Sequence, residues 1–380
     1  MHTLKKAILQ LLFSFRYGIL KENESGVYAM AEMKPIPIGV EDFKELIQKG
    51  YYFVDKTFMI SDLLDKKSKV SLFTRPRRFG KTLNMSMVQR FFEKTEESNA
   101  YLFENLNIAK AGQKYMQHQG QYPVISVSLK SMKRGSYESA LALYKKMVAD
   151  EFIRHKAILK SDHLEEKEKN QYQEIINETA SDDVFSYAIR LLSECLRKVY
   201  SKNVIILIDE YDVPLENSYF CGFYDKMVGL VRSVFESALK TNPSLEFAVL
   251  TGCLRISKES IFTGLNNLDV YPVTANEMSE YFGFTQSEVE KIAEYYGFAH
   301  KLPEMKDWYD GYVFGRTEIY NPWSILNYVK SVLGDNVIAC QPYWINTSSN
   351  SIIHELVVNA DAKTKEQIAS LMEGRSIKAP

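Results

Sequence analysis

The sequence predicts an α/β fold: three layers, with a mostly parallel sheet between helices, followed by a smaller α-rich domain. Three observations carry that prediction. Apolar runs of strand length (Val70 to Phe73, Tyr122 to Leu129, Val204 to Ile208, Leu245 to Gly252) alternate with helical stretches, the pattern of right-handed strand–helix–strand crossovers. The first run leads through a turn to Gly80-Lys81-Thr82 at the head of a helix, where backbone N–H groups converge on a site suited to an anion. The third run ends in Asp209-Glu210, and the carboxyl ends of parallel strands are where open sheets bind ligands.

Taken in order, Pro35 to Val40 reads as an extended segment and Asp42 to Lys49 as a helical turn. Tyr51 to Thr57 reads as a strand with a polar exit, and Phe58 to Leu64 as a helix with Met59, Leu63 and Leu64 at helical spacing. The helix opened by Gly80-Lys81-Thr82 runs to about Lys94. Ser136 to Leu159 forms a long amphipathic helix, with Leu141, Tyr144, Met147, Val148 and Phe152 on one side. Ser161 to Asp182 is polar with mixed charge and reads as a solvated helical excursion. Val184 to Tyr200 and Phe223 to Leu239 are further helices. Beyond Pro272 the alternation stops. Glu277 to Phe284 and Gln286 to Tyr296 read as short helices, Asp310-Gly311 as a hairpin turn among aromatics, and Asn321-Pro322 as a capped helix start.

The residue types at the two strand ends suit phosphoryl chemistry. Lys81 would reach β- and γ-phosphates and the Thr82 hydroxyl would bind Mg²⁺. Asp209 is the Mg²⁺-linked carboxylate and Glu210 the base that positions water. The usual loop signature wants glycine where this chain has Arg75, followed by Pro76, so the turn must be made by another route. Arg75, Arg77 and Arg78 would clamp phosphates, or else form a surface pair plus a partner-docking residue. Phe79 stacks on adenine or, by the preferred reading, packs under the loop. Asp212 is a helper or a cap for the following turn. Thr251 senses the γ-phosphate or simply ends its strand. Arg255 offers charge to the transition state or pairs with an acid such as Glu259. Trp308, Tyr309 and Tyr312 read as core.

Composition narrows the class. The 380 residues carry 25% charged side chains and a formal net charge of −1, so no global field draws the chain to nucleic acid or a membrane. Four cysteines, Cys195, Cys221, Cys253 and Cys340, lie far apart without a C-x-x-C pair, which fits a reducing cytoplasm and argues against a zinc site or disulfide framework. No apolar run approaches the length of a membrane span. Lys5-Lys6 and the apolar stretch from Ala7 to Phe15 loosely suggest a signal peptide, but Gln10 and Arg16 interrupt it, so residues 1–32 read as an N-terminal extension.

Tyr52-Phe53-Val54-Asp55-Lys56-Thr57, Arg75-Pro76-Arg77-Arg78-Phe79-Gly80-Lys81-Thr82, Asp209-Glu210-Tyr211-Asp212, Thr251 to Phe262 and Trp308-Tyr309-Asp310-Gly311-Tyr312 together resemble the AAA-ATPase-like family of prokaryotic P-loop proteins, from about Met33 to Asn350. The resemblance implies a P-loop NTPase domain, ATP and Mg²⁺ as ligands, and an arginine-rich loop as the family's normal variant. It implies that Asp55-Lys56-Thr57 approaches the base or serves structure. Many members carry a PD-(D/E)XK nuclease-like domain downstream; residues 351–380 lack its acidic, E-x-K-type signature. The expected organisation is an extension (1–32), a P-loop ATPase-like domain (33–272), an α-rich lid or winged-helix-like subdomain (273–350) and a C-terminal helical remnant (351–380). The expected function is an ATPase that couples hydrolysis to a conformational switch, with a homo-oligomer and a nuclease-type protein as candidate partners. The alternative is a nucleotide-sensing module without turnover, regulating a nuclease or defence partner.

Overall fold

The computed structural model describes residues 20–22, 28–30, 33–240, 242–254, 261–262, 265–334, 340–344, 357–373, 375 and 377. They fall into two compact units, 1–341 and 342–380. Near the N-terminus Leu20–Glu22 and Tyr28–Met30 pair as a short antiparallel ribbon.

Five parallel strands form the central sheet: β1 (Val70–Thr74), β2 (Val124–Ser128), β3 (Val204–Asp209), β4 (Leu245–Gly252) and β5 (Leu268–Tyr271), in the spatial order β2-β3-β4-β1-β5. Its middle strands are apolar on both faces because helices cover both. Ile206 and Ile208 of β3 join one core while Ile205 and Leu207 join the other, the strict alternation of a pleated strand. Each such fully buried side chain stabilises the fold by about 1.5–3 kcal/mol.

One face carries α1 (Phe43–Gln48), α2 (Phe58–Lys66) and α3 (Lys81–Phe92). The other carries α4 (Tyr137–Arg154), α5 (Glu166–Ile176), α6 (Asp182–Tyr200), α7 (Val213–Phe220) and α8 (Tyr224–Phe235). The three-layer α/β/α expectation therefore holds. The polar segment around α5 is less solvated than its composition implies. Tyr172 and Ile175 are buried, and the Tyr172 hydroxyl donates to the Phe152 carbonyl at 2.7 Å.

After β5 the chain builds a small antiparallel sheet from β6 (Phe284–Thr285), β7 (Tyr312–Phe314) and β8 (Thr317–Tyr320), with α9 (Gln286–Tyr295), α10 (Leu302–Tyr309) and α11 (Pro322–Gly334) around it. The separate unit beyond residue 341 contains α12 (Ala362–Met372).

Four local expectations are corrected. Tyr51 to Thr57 is not a strand: Asp55 Oδ1 accepts from the Thr57 N–H and hydroxyl, and Oδ2 from the Asn107 N–H, folding the segment into a turn. Glu277 to Phe284 holds no α-helix, only the 3₁₀ turn Ser279–Tyr281 before β6 begins at Phe284, because Met278 and Gly283 take left-handed φ of 54° and 94° on either side of it. Asp310-Gly311 precedes β7, and the two-residue turn is Gly315-Arg316, with Phe314 opposite Thr317. A Cβ on Gly315 would fall 2.6 Å from the Ala275 carbonyl oxygen, so a contact distant in sequence selected that turn. The long helix expected to reach Leu159 stops at Arg154 and continues as the 3₁₀ turn Lys156–Lys160.

Candidate nucleotide site

Parallel register brings three strand tips together. Phe73 of β1 lies opposite Thr251 of β4, and Leu250 of β4 opposite Ile208 of β3. The residues at and just past these pairs, the arginine-rich loop, Asp209 and Thr251, therefore cluster at the carboxyl end of the sheet although the sequence separates them widely. The Thr82 hydroxyl, in the first turn of α3, donates to Asp209 Oδ2 at 2.8 Å. The Thr251 hydroxyl donates to Asp209 Oδ1. Burial pushes the Asp209 carboxyl above its ordinary value, and the two hydroxyls oppose that rise.

Glu210 adopts a left-handed φ of 56°, turning the chain sharply out of β3. Its Oε1 lies 3.5 Å from the Lys81 ammonium. Lys81 is buried, and its Nζ also donates to the carbonyls of Arg75 (3.1 Å) and Pro76 (3.2 Å) and to the Cys253 thiol (3.3 Å). Burial alone would lower its pKa, but Cys253 and Glu210 outweigh that and raise it, so the ammonium keeps its charge. Gly80, at φ 81°, opens α3, whose first-turn N–H groups have no acceptor within the helix.

Asp212 completes the wall. Its Oδ2 accepts from the N–H groups of Cys253 (2.8 Å) and Leu254 (2.7 Å), clamping the exit of β4 instead of capping its own helix. Burial raises its carboxyl to about 6, against the pull of those two bonds. A Cβ on Gly252 would sit 2.5 Å from Tyr211 Cε1 and 2.7 Å from Asp212 Oδ1, so only glycine fits between them.

The structure thus brings together Lys81, Thr82, Asp209, Glu210 and Thr251, and places the loop's other side chains elsewhere. Arg75 is fully buried; it donates to the carbonyls of Thr74 (2.9 Å) and Tyr271 (2.6 Å) and lies over the rings of Phe282 and Phe314. Burial lowers its pKa to about 10. Arg77 pairs with Glu216 of α7 at 2.9 Å. Arg78 stacks on Trp323. Phe79 packs under the loop against Tyr312 and Phe314, the second of its two expected placements. Asp55-Lys56-Thr57 is engaged in structure: the Lys56 ammonium donates at 2.6 Å to Glu288 of α9 and to the Glu280 carbonyl. Arg255 lies outside the described residues.

Two neighbours escaped the sequence reading. Cys253 stands two residues beyond Thr251 on the same strand exit, a spacing that marks it once Thr251 is placed at the site. Trp323 gave no local signal, since only the tertiary fold brings α11 to the loop. For Mg²⁺, hard oxygen donors are required, and the Thr82 hydroxyl and Asp209 carboxylate, already in contact, supply two. No cluster of three or more His, Cys, Asp or Glu suited to a metal, and no helix long and apolar enough to cross a membrane, occurs among the described residues.

The chain is 26% identical over 339 residues to a protein of Azotobacter chroococcum named "Uncharacterized protein in vnfD 5'region", a match that covers 87% of this chain and 57% of that protein. The chain therefore spans little more than half the length of that relative. Residues 37–262 match the family described as predicted AAA-ATPase, a stretch that takes in β1 to β4, the arginine-rich loop and the Asp209-Glu210 strand end. This chain belongs to the AAA-ATPase-like family.

Proposed function

We propose that this chain binds ATP and hydrolyses it with Mg²⁺. The observation that carries the reading is the convergence of two hydroxyls, Thr82 and Thr251, on the Asp209 carboxylate, with the Lys81 ammonium 3.5 Å from Glu210 in the same cluster. In this reading the first-turn N–H groups of α3 and the Lys81 ammonium hold the β- and γ-phosphates, Lys81 exchanging its two loop carbonyls for phosphate oxygens. Thr82 and Asp209 would hold Mg²⁺, whose charge would offset that of the phosphates there. Glu210 orients a water for attack on the γ-phosphorus and takes its proton as the bond to the leaving ADP oxygen breaks. Thr251 reports the state of the γ-phosphate to β4. Four free cysteines among the described residues support a cytoplasmic setting.

Phosphate release from Mg-ATP tests the proposal. Lys81→Ala and Glu210→Gln are each expected to lower turnover by about 100-fold or more, the scale on which losing a charge-stabilising or proton-accepting group is felt. Turnover equal to wild type in both variants would overturn it. Tight ATP binding without release would move the assignment to a nucleotide sensor.

A further inference from the structure

The loop has no glycine at its first position and still turns, because Arg78 takes the left-handed conformation at φ 72°. A residue with a side chain adopts that conformation at a cost, so something must hold it there. The Arg78 guanidinium lies 4.2 Å from the centroid of the Trp323 ring, a cation–π contact with the most strongly attracting of the aromatic side chains.

Trp323 is itself held firmly. It sits in the first turn of α11, where Asn321 Oδ1 accepts from the Ser324 N–H at 3.1 Å and Pro322 fixes the backbone at the first helical position. The Trp323 carbonyl accepts from Asn327 Nδ2 at 2.7 Å. The strand leading into that helix presses on the loop from below. A Cβ on Gly283 would fall 2.3 Å from Ile319 and 2.9 Å from Phe79, so β6, β8 and the loop meet there without spare room. The backbone that carries the indole is therefore fixed beside a loop that needs a brace.

We infer that Trp323 is a positioning residue for the phosphate loop. It acts through Arg78, keeping residue 78 in the left-handed turn that aims Gly80, Lys81 and Thr82 at the phosphates. The small antiparallel subdomain thereby completes the nucleotide site. The inference rests on the nucleotide-binding reading above and adds to it a contributor from outside the parallel sheet.

A double-mutant cycle on the full chain tests it, with Mg-ATP affinity read by calorimetry and Lys81→Ala as the non-binding control. Trp323→Leu should weaken ATP by about tenfold, the order of the left-handed penalty it no longer offsets. Arg78→Gly should bind within about threefold of wild type, since glycine takes positive φ unaided. In the Arg78→Gly background, Trp323→Leu should cost less than about twofold. A loss of general stability would weaken both backgrounds alike, so equal weakening overturns the inference and leaves nucleotide binding standing. A wild type that titrates like Lys81→Ala overturns both. Should Trp323→Leu fail to fold, Trp323→Phe carries the same comparison with a weaker ring, and a smaller, still background-dependent loss is expected.

Discussion

At the scale of single residues, the site is built from groups placed where each is unfavourable alone. Glu210 and Arg78 carry side chains in left-handed backbone. Asp212 is a nearly fully buried carboxylate with one oxygen serving two N–H groups and the other, Oδ1, without a partner. Such a carboxylate weakens the fold when ionised, and the sign of the effect follows from its shift. In the unfolded chain it titrates near 3.8, and in the folded chain at about 6. Between those values the folded protein holds a proton that the unfolded chain has lost, so this group's contribution falls as pH rises through the window. Asp212→Asn keeps an oxygen for both N–H groups and cannot ionise. Its stability relative to wild type should therefore rise by about 2–3 kcal/mol between pH 4 and pH 7. Urea unfolding at the two pH values reads this directly, and a difference that stays flat would refute the burial argument.

At the scale of elements, legibility followed how local the cause was. β3 could be read from Val204 to Ile208 because a strand buried on both faces has no polar side to disguise it. The Asp209-Glu210 strand end followed from that run, and the helix start at Lys81-Thr82 from the Val70 to Phe73 run that leads into it. Tyr51 to Thr57 misled because Tyr51-Tyr52-Phe53-Val54 has the aromatic and β-branched composition of a strand, yet Asp55 satisfies the backbone of Thr57 and Asn107 with its side chain. β5 went unseen because Asp269 interrupts a strand of only four residues. The Asp310-Gly311 signal lost to Gly315, chosen by contact with Ala275. The tie between α9 and the Asp55-Lys56-Thr57 turn belongs to this hidden class. Lys56 is buried, and Glu288 both receives its ammonium and accepts the Thr285 N–H in a capping box. Lys56→Met should destabilise the chain by about 3 kcal/mol by stranding that carboxylate, and adding Glu288→Gln should recover part of the loss. Thermal unfolding distinguishes this from simple additivity, which would show the second substitution costing more.

At the scale of the whole unit, nothing of the proposed phosphate site survives unfolding. Asp209, Thr251 and the loop come from three strands aligned only by sheet register, and Arg78 is braced by a helix that follows the sheet in sequence. A ligand of that site binds the folded chain alone, so its binding energy adds to stability as RT ln(1 + [L]/Kd). At ATP a hundredfold above its Kd, with Mg²⁺ present, the gain is about 2.7 kcal/mol, or roughly 4 °C in the melting temperature of a unit this large. Lys81→Ala should lose that shift, and its own ligand-free melting temperature should lie below that of wild type. The reason is that Cys253 and Glu210 raise the Lys81 pKa against its burial, so the ammonium is net favourable in the fold, and removing it leaves the Glu210 carboxylate without its ion-pair partner. Mg²⁺ without nucleotide should shift neither protein, since Thr82 and Asp209 provide two donors to an ion that requires six. A shift of equal size in Lys81→Ala would mean that ATP binds elsewhere on the chain, and the cluster at the strand tips would then have to be read as a structural network.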